Sequence, residues 1–179
     1  MCIRDSLAHA VDWLCAQAEV DAHRVGVIGH SVGAAAALLL ASQRQDLVAA
    51  VTLAAFADPA AIMRRWLKAQ RIPYWPLGAY ILHYVQHVIG HRFADIAPCH
   101  TIRAASCPVL LVHGTNDETV PVSEAQEIFA RRRDERVRLL LIAGSHDQYA
   151  EMERHFETVI DFLDGATRPL ADRHGKELS

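Results

Sequence analysis

At 179 residues, with 51% hydrophobic and 22% charged residues, the chain has the make-up of one globular domain and not of a disordered or fibrous protein. A net charge of −3 and a pI near 6.4 give no electrostatic reason to expect nucleic acid or an anionic membrane surface as a partner. The one dense charge run, Arg131-Arg132-Arg133-Asp134-Glu135-Arg136, mixes signs at the end of a predicted helix and reads as solvated surface.

In chain order, Met1-Cys2-Ile3-Arg4-Asp5-Ser6 lacks the apolar core and cleavage site of a signal peptide. It resembles a translated adaptor scar, so residues 1–6 are expected to be a non-native leader. Leu7, Val11, Leu14 and Ala18 recur at helical spacing, with Ser6 placed to cap that helix. Val25 to Gly29 is a short apolar run bounded by glycine, as expected of a buried parallel strand. A helix follows from Gly33 to about Gln43, and Val48 to Phe56 reads as the next strand. Residues 57–100 interrupt the alternation with a helical insertion that holds Trp66, Tyr74, Trp75, Tyr80, Tyr84 and Phe93. Pro108 to Gly114 is a third strand, opened by proline where a missing N–H costs least. Ser123-Glu124-Ala125-Gln126 has the pattern of a capping box for a helix running to about Arg132. Val137 to Ala143 is the fourth strand. Tyr149, Met152, Phe156, Ile160 and Leu163 then mark an amphipathic helix stopped by Gly165, and residues 166–179 form a polar tail. The alternation predicts an α/β fold with a parallel sheet, one domain over 7–165.

Other classes are disfavoured. The longest apolar stretch, Ala34 to Ala41, is far shorter than the roughly 20 residues that span a bilayer, so no membrane span is expected. Cys2, Cys15, Cys99 and Cys107 show neither C-x-x-C nor a zinc spacing and read as reduced, small hydrophobes. His83, His87 and His91 fall at i, i+4 and i+8 and could line one helix face, but Gly90 intervenes and no acidic residue is spaced with them. Packing of the insertion is the better account, and no metal or other cofactor is expected.

The chemistry gathers at strand ends. Gly29-His30-Ser31-Val32-Gly33 sets a serine between two glycines at a strand-to-helix junction, a turn so tight that its backbone is strained and its hydroxyl stands above the sheet. Both glycines are expected to be small because strand and helix pass close together. A serine hydroxyl needs a base, and the base an orienting acid. Asp117 lies in the loop after the third strand, with Asn116, Glu118 and Asp147 as competing side chains. His146 follows the fourth strand in Gly144-Ser145-His146-Asp147. His30 and His113 read as local packing or hydrogen-bonding residues.

These three motifs together resemble the C-terminal portion of an α/β-hydrolase of the serine esterase, lipase and serine aminopeptidase-like branch, whose chain order is also Ser…Asp…His. The resemblance covers residues from about 7 to 164. It implies Ser31 as nucleophile, His146 as general base, Asp117 as its orienting partner and the N–H of Val32 as one oxyanion donor. It also implies that the sequence supplies the last four strands of the family's sheet, without the loop that bears the second oxyanion donor. The parent activity implied is a serine acyl hydrolase, foremost a carboxylesterase acting through an acyl-enzyme on a small-molecule ester, thioester or amide. The 179 residues as they stand are expected to be weak or inactive. The alternatives are a peptidase or thioesterase of the same fold, and a non-catalytic binding protein. Trp66, Trp75, Tyr80 and Tyr84 are expected to line an apolar substrate pocket beneath the insertion acting as a cap. Oligomeric state is not legible, and the expectation for localisation is the cytoplasm.

Overall fold

The computed structural model describes residues 3–148 and 152–167. Four strands, β1 (Val27–His30), β2 (Ala50–Leu53), β3 (Val109–Gly114) and β4 (Val137–Ile142), pair in that order into one parallel sheet. The register is level, with Val27 beside Ala50, Ala50 beside Val109, and Val109 beside Val137. All four C-terminal ends therefore open on one edge, where a parallel sheet collects its functional loops.

The alternation of side chains splits the core in two. Val109 and Leu111 of β3 face one layer with Ala50, while Leu110 and Val112 face the other with Val51. The first layer is covered by α1 (Ile3–Cys15) and α2 (Val32–Gln43). Helix α2 carries no polar stripe, and its residues Ala36 to Ala41 are all buried, which is how a helix sandwiched between a sheet and another helix reads. The second layer is covered by α8 (Met152–Thr167) through Phe162, with Val159, Leu163 and Ala166 beside it.

Between β2 and β3 the chain is helical, as expected of residues 57–100. It runs through α3 (Pro59–Ala69), a wide turn at Tyr74–Gly78, α4 (Ala79–Ile89), α5 (Phe93–Ile96) and α6 (Pro98–Thr101). Asp58 caps α3 by accepting from the N–H of Ala60 at 2.8 Å, and Pro59 takes the first helical position. Leu67, Leu82 and Phe93 form a small core of its own. Helix α7 (Val122–Ala130) packs beside β3 and β4.

Several expected boundaries move. Residues 3–6 are the first turn of α1, so Ser6 lies inside that helix and not at its cap, and the helix ends at Cys15, short of Ala18. Helix α7 starts at Val122 with Pro121 as cap residue, which puts Ser123 on the helix itself. The Glu124 carboxylate leaves the helix start and binds the N–H of Ala57 at 2.7 Å and the Arg65 guanidinium, tying α7 to α3. Gly165 does not stop α8, which continues to Thr167 while Ala166 packs on the second core layer. On that helix Phe156 and Ile160 are each 53% exposed, because the sheet-facing stripe runs through Val159, Phe162 and Leu163. Tyr149, Met1, Cys2 and residues 168–179 lie outside the described residues. No helix among the described residues is long and apolar enough to cross a membrane.

Candidate active site

The turn from β1 into α2 forces Ser31 to φ 53° and ψ −112°, a left-handed conformation that a residue with a Cβ rarely holds. It is clamped there by its N–H donating to Leu53 O at 2.9 Å and its carbonyl accepting from Ala34 N at 3.1 Å. The closeness of strand and helix rests on Gly29. A Cβ on Gly29 would lie 2.2 Å from the carbonyl oxygen of Gly33, whereas one on Gly33 meets nothing within 4 Å. The expectation that both glycines are sterically required is thus corrected: the approach is of Gly29 toward the backbone of Gly33, and the other side is open. Val32, first residue of α2, has no intrahelical partner for its N–H and stands half-exposed beside the serine.

The loops after β3 and β4 interlock through backbone. A Cβ on Gly114 would fall 2.6 Å from the carbonyl oxygens of both Gly144 and Ser145. Asn116 N donates to Gly144 O at 2.9 Å, and Gly144 itself adopts φ 155°. Across this contact Asp117 Oδ2 accepts from His146 Nδ1 at 2.8 Å, with the Asp117 side chain fully buried and that of His146 14% exposed. Asp117 Oδ1 accepts from the N–H groups of Thr119 and Val120 at 2.9 and 2.8 Å. Because a carboxylate only accepts, His146 carries its proton on Nδ1, which leaves a lone pair on Nε2. Asn116, Glu118 and Asp147 do not hold this position toward the ring. His113 is fully buried; its Nε2–H donates to Val120 O at 2.8 Å and lies 3.6 Å from Asp117 Oδ2, while its Nδ1 is buried without a partner. The ring forms a second wall to the carboxylate.

His30, next to the serine, reaches back over His146. Its Nε2 donates to the carbonyl oxygen of His146 at 2.9 Å, and the two ring centroids are 4.9 Å apart. Asp147 Oδ1 is 3.8 Å from the same nitrogen. His30, His146 and Asp147 could each turn one ligand atom toward a point, with those atoms within 4.8 Å of one another. The row of His83, His87 and His91 is broken instead: Gly90, at φ 72°, ends α4, so His91 leaves the helix.

Above Ser31 lies a cavity of about 580 Å³ between α2, α3 and α4. Ser31 and Val32 form its floor, and Met63, Trp66, Val85 and Ile89 are among its walls; among the described residues His91 is its one titratable side chain. Of the expected aromatic lining only Trp66 is there. Trp75, Tyr80 and Tyr84 are 79%, 64% and 54% exposed and lie off the cavity. Tyr80 and Tyr84 sit one helical turn apart and stack on each other, centroids 6.2 Å apart, on a face of α4 turned away from Val85 and Ile89. The aliphatic wall was missed by reading the insertion for aromatics, although the i, i+3, i+4 spacing of those three residues was available.

A parallel sheet flanked by helices, with this strand-to-helix turn and these loops on one edge, defines an α/β-hydrolase. The sequence pattern of the prolyl oligopeptidase family matches residues 2–166, and the chain belongs to that family. It is 29% identical over 147 residues to the Bacillus subtilis protein YqkD, covering 78% of this chain and 48% of YqkD, so it spans about half of that relative. Among solved structures it resembles an esterase of Pyrococcus furiosus, with a TM-score of 0.69 and 23% identity, over 91% of this chain and 61% of that one. The esterase domain of a Rhodothermus marinus protein superposes with a TM-score of 0.62 and 21% identity over 91% and 67% of the two chains. At those identities the two structures speak for the fold alone.

Proposed function

We propose that the chain carries the nucleophile, base and acid of a serine acyl hydrolase, foremost a carboxylesterase. The observation that carries this reading is the 2.8 Å bond from His146 Nδ1 to buried Asp117, on the sheet edge where Ser31 is held at φ 53°. His146 Nε2 takes the Ser31 proton as the hydroxyl oxygen attacks an ester carbonyl. The tetrahedral oxyanion is met by the N–H of Val32 and the positive end of α2. His146 then protonates the departing alcohol, and water activated by the same nitrogen releases the acid and restores Ser31. The insertion over residues 57–100 acts as a cap, and its aliphatic wall receives the apolar part of the substrate. A cavity lined almost wholly by apolar side chains among the described residues supports a neutral ester over a peptide, which brings an unpaired amide backbone. The family match keeps amide cleavage as the second reading.

A fluorophosphonate probe tests the proposal on the chain as given. Covalent labelling at Ser31 is expected, abolished in Ser31→Ala and slowed by at least about 10³-fold in His146→Gln. Labelling that survives Ser31→Ala, or a wild-type chain that takes up no probe, would sink the reading in favour of a binding protein. Hydrolysis of p-nitrophenyl butyrate against an amide of the same acyl group then separates esterase from peptidase.

A further inference from the structure

We infer that His30 is a positioning residue, the tether that fixes the distance between the nucleophile turn and the base; this rests on the serine-hydrolase reading above. Two loops that lie 116 residues apart in sequence meet at the bond from His30 Nε2–H to the His146 carbonyl oxygen, 2.9 Å long. A carbonyl oxygen only accepts, so His30 must carry its proton on Nε2 in the neutral ring. The same atom lies 3.8 Å from Asp147 Oδ1.

The other links to His146 leave its relation to Ser31 open. Asp117 holds the ring through Nδ1, and Asn116 and Gln148 hold the loop by Asn116 N to Gly144 O at 2.9 Å and Ser145 N to Gln148 O at 2.7 Å. All of these belong to the β3 and β4 loops. From the β3 loop to Ser31 the hydrogen-bonded path instead runs back to Val112 O, across to Ala54 N, and from Leu53 O to Ser31 N. The path through His30 is one peptide bond and one hydrogen bond. It also lays the His30 ring, tilted by 58°, against the His146 ring with centroids 4.9 Å apart, filling that flank of the base. Proton transfer demands that base and nucleophile meet within hydrogen-bond reach, and a displacement of about 1 Å costs up to about 10²-fold in rate. A tether from the nucleophile's own neighbour constrains that separation directly. Its side chain is 42% exposed, so the bond adds little to the global fold, which separates a positioning role from a structural one.

The test is a pair of substitutions in the full chain. His30→Met keeps the bulk of the ring without a donor, and His30→Gln places an amide N–H where Nε2 stands. For His30→Met the expected result is a fall in kcat on p-nitrophenyl butyrate of about 10–10² with KM within about 3-fold and an unchanged melting temperature. His30→Gln is expected to return to within about 3-fold of the wild type. Hydrogen exchange across residues 143–148 gives a readout that needs no activity: faster in His30→Met, restored in His30→Gln. Should the wild type take up no fluorophosphonate, the functional reading fails while the exchange comparison still decides the tether. The inference is overturned if His30→Met matches the wild type in exchange and kcat, or if His30→Gln is as impaired as His30→Met.

Discussion

Asp117→Asn is the substitution whose outcome the geometry fixes most tightly. Oδ1 accepts from two backbone N–H groups, Thr119 at 2.9 Å and Val120 at 2.8 Å, and Oδ2 faces His146 Nδ1 at 2.8 Å. An asparagine has one oxygen and one NH₂ to divide between these sides. Pointing the NH₂ at Thr119 and Val120 would leave two donors facing a donor in a fully buried place, at about 1–3 kcal/mol for each unmet group. The oxygen therefore stays with the backbone, and the NH₂ faces the imidazole. Nδ1 must then accept, so the ring proton moves to Nε2 and occupies the lone pair that would deprotonate Ser31. The nearby His113 Nε2–H, 3.6 Å from Oδ2, offers no relief because it is a donor too. The wrong tautomer in a triad of this kind costs about 10⁴ in kcat, or about 5.5 kcal/mol of transition-state stabilisation. Steady-state hydrolysis of p-nitrophenyl butyrate, with circular dichroism to show an intact fold, measures it. Activity within 10-fold of the wild type, with Ser31→Ala inactive, would refute the reasoning about which atom faces the ring.

The two elbow glycines are expected to behave oppositely. Gly29→Ala, with a Cβ 2.2 Å from Gly33 O, should lose about 2–3 kcal/mol in urea unfolding, and Gly33→Ala, in open space on a helix, should be neutral or gain about 0.5 kcal/mol; equal effects would contradict the steric account. Burial pushes the Cys107 thiol up to about 11, so about one molecule in 10³ is thiolate at pH 8. Iodoacetamide should modify Cys107 only on unfolding, and prompt native modification seen by peptide mass spectrometry would count against it. Arg44 bridges Asp46 at 2.6 Å and Asp12 of α1, and hydrogen bonding to Arg44 holds the Asp46 carboxyl below its usual range. A lowered folded-state value means the stabilisation is present above about pH 4 and is lost as pH falls through that value. Arg44→Met should cost about 1 kcal/mol at pH 7, given the half-exposed carboxylates, and much less at pH 3; an equal gap at both would rule this out.

The sheet was legible because a strand buried on both faces must be a continuous apolar run, and Val109 to Val112 is one with no competing period. The serine turn was legible for a related reason, since only glycine tolerates the approach at Gly29. The errors share another physics. A helix cap is decided by backbone angles at one residue, so Ser6 and Ser123 have the right side chains one or more positions inside their helices. Gly165 marks permission to leave a helix, and the burial of Ala166 outweighs it. The lining of the cavity failed differently, because aromatic content says how much surface a segment offers and nothing about which way it faces. Tyr80 and Tyr84 stack on each other and otherwise face solvent.

The same distinction separates what the motifs display from what holds them. Ser31, Asp117 and His146 are visible as residue types, yet the spacing between their loops is set by atoms no motif advertises. Gly114 has no room for a Cβ between the carbonyls of Gly144 and Ser145, so the β3 and β4 loops come as close as two backbones can. That contact places Asp117 against His146 without any side chain of the triad contributing to it. On the other flank, His30 reaches the same loop through the His146 carbonyl, again a backbone atom. His146, the proposed base, is therefore held from both sides through backbone atoms of its own loop, and its ring is left to choose only a rotamer and a tautomer, both of which Asp117 decides. It follows that the geometry of the site should be more sensitive to substitutions at Gly114 and His30 than to equally conservative changes at exposed acids such as Glu118, although each stands within three residues of Ser31 or Asp117 in the sequence.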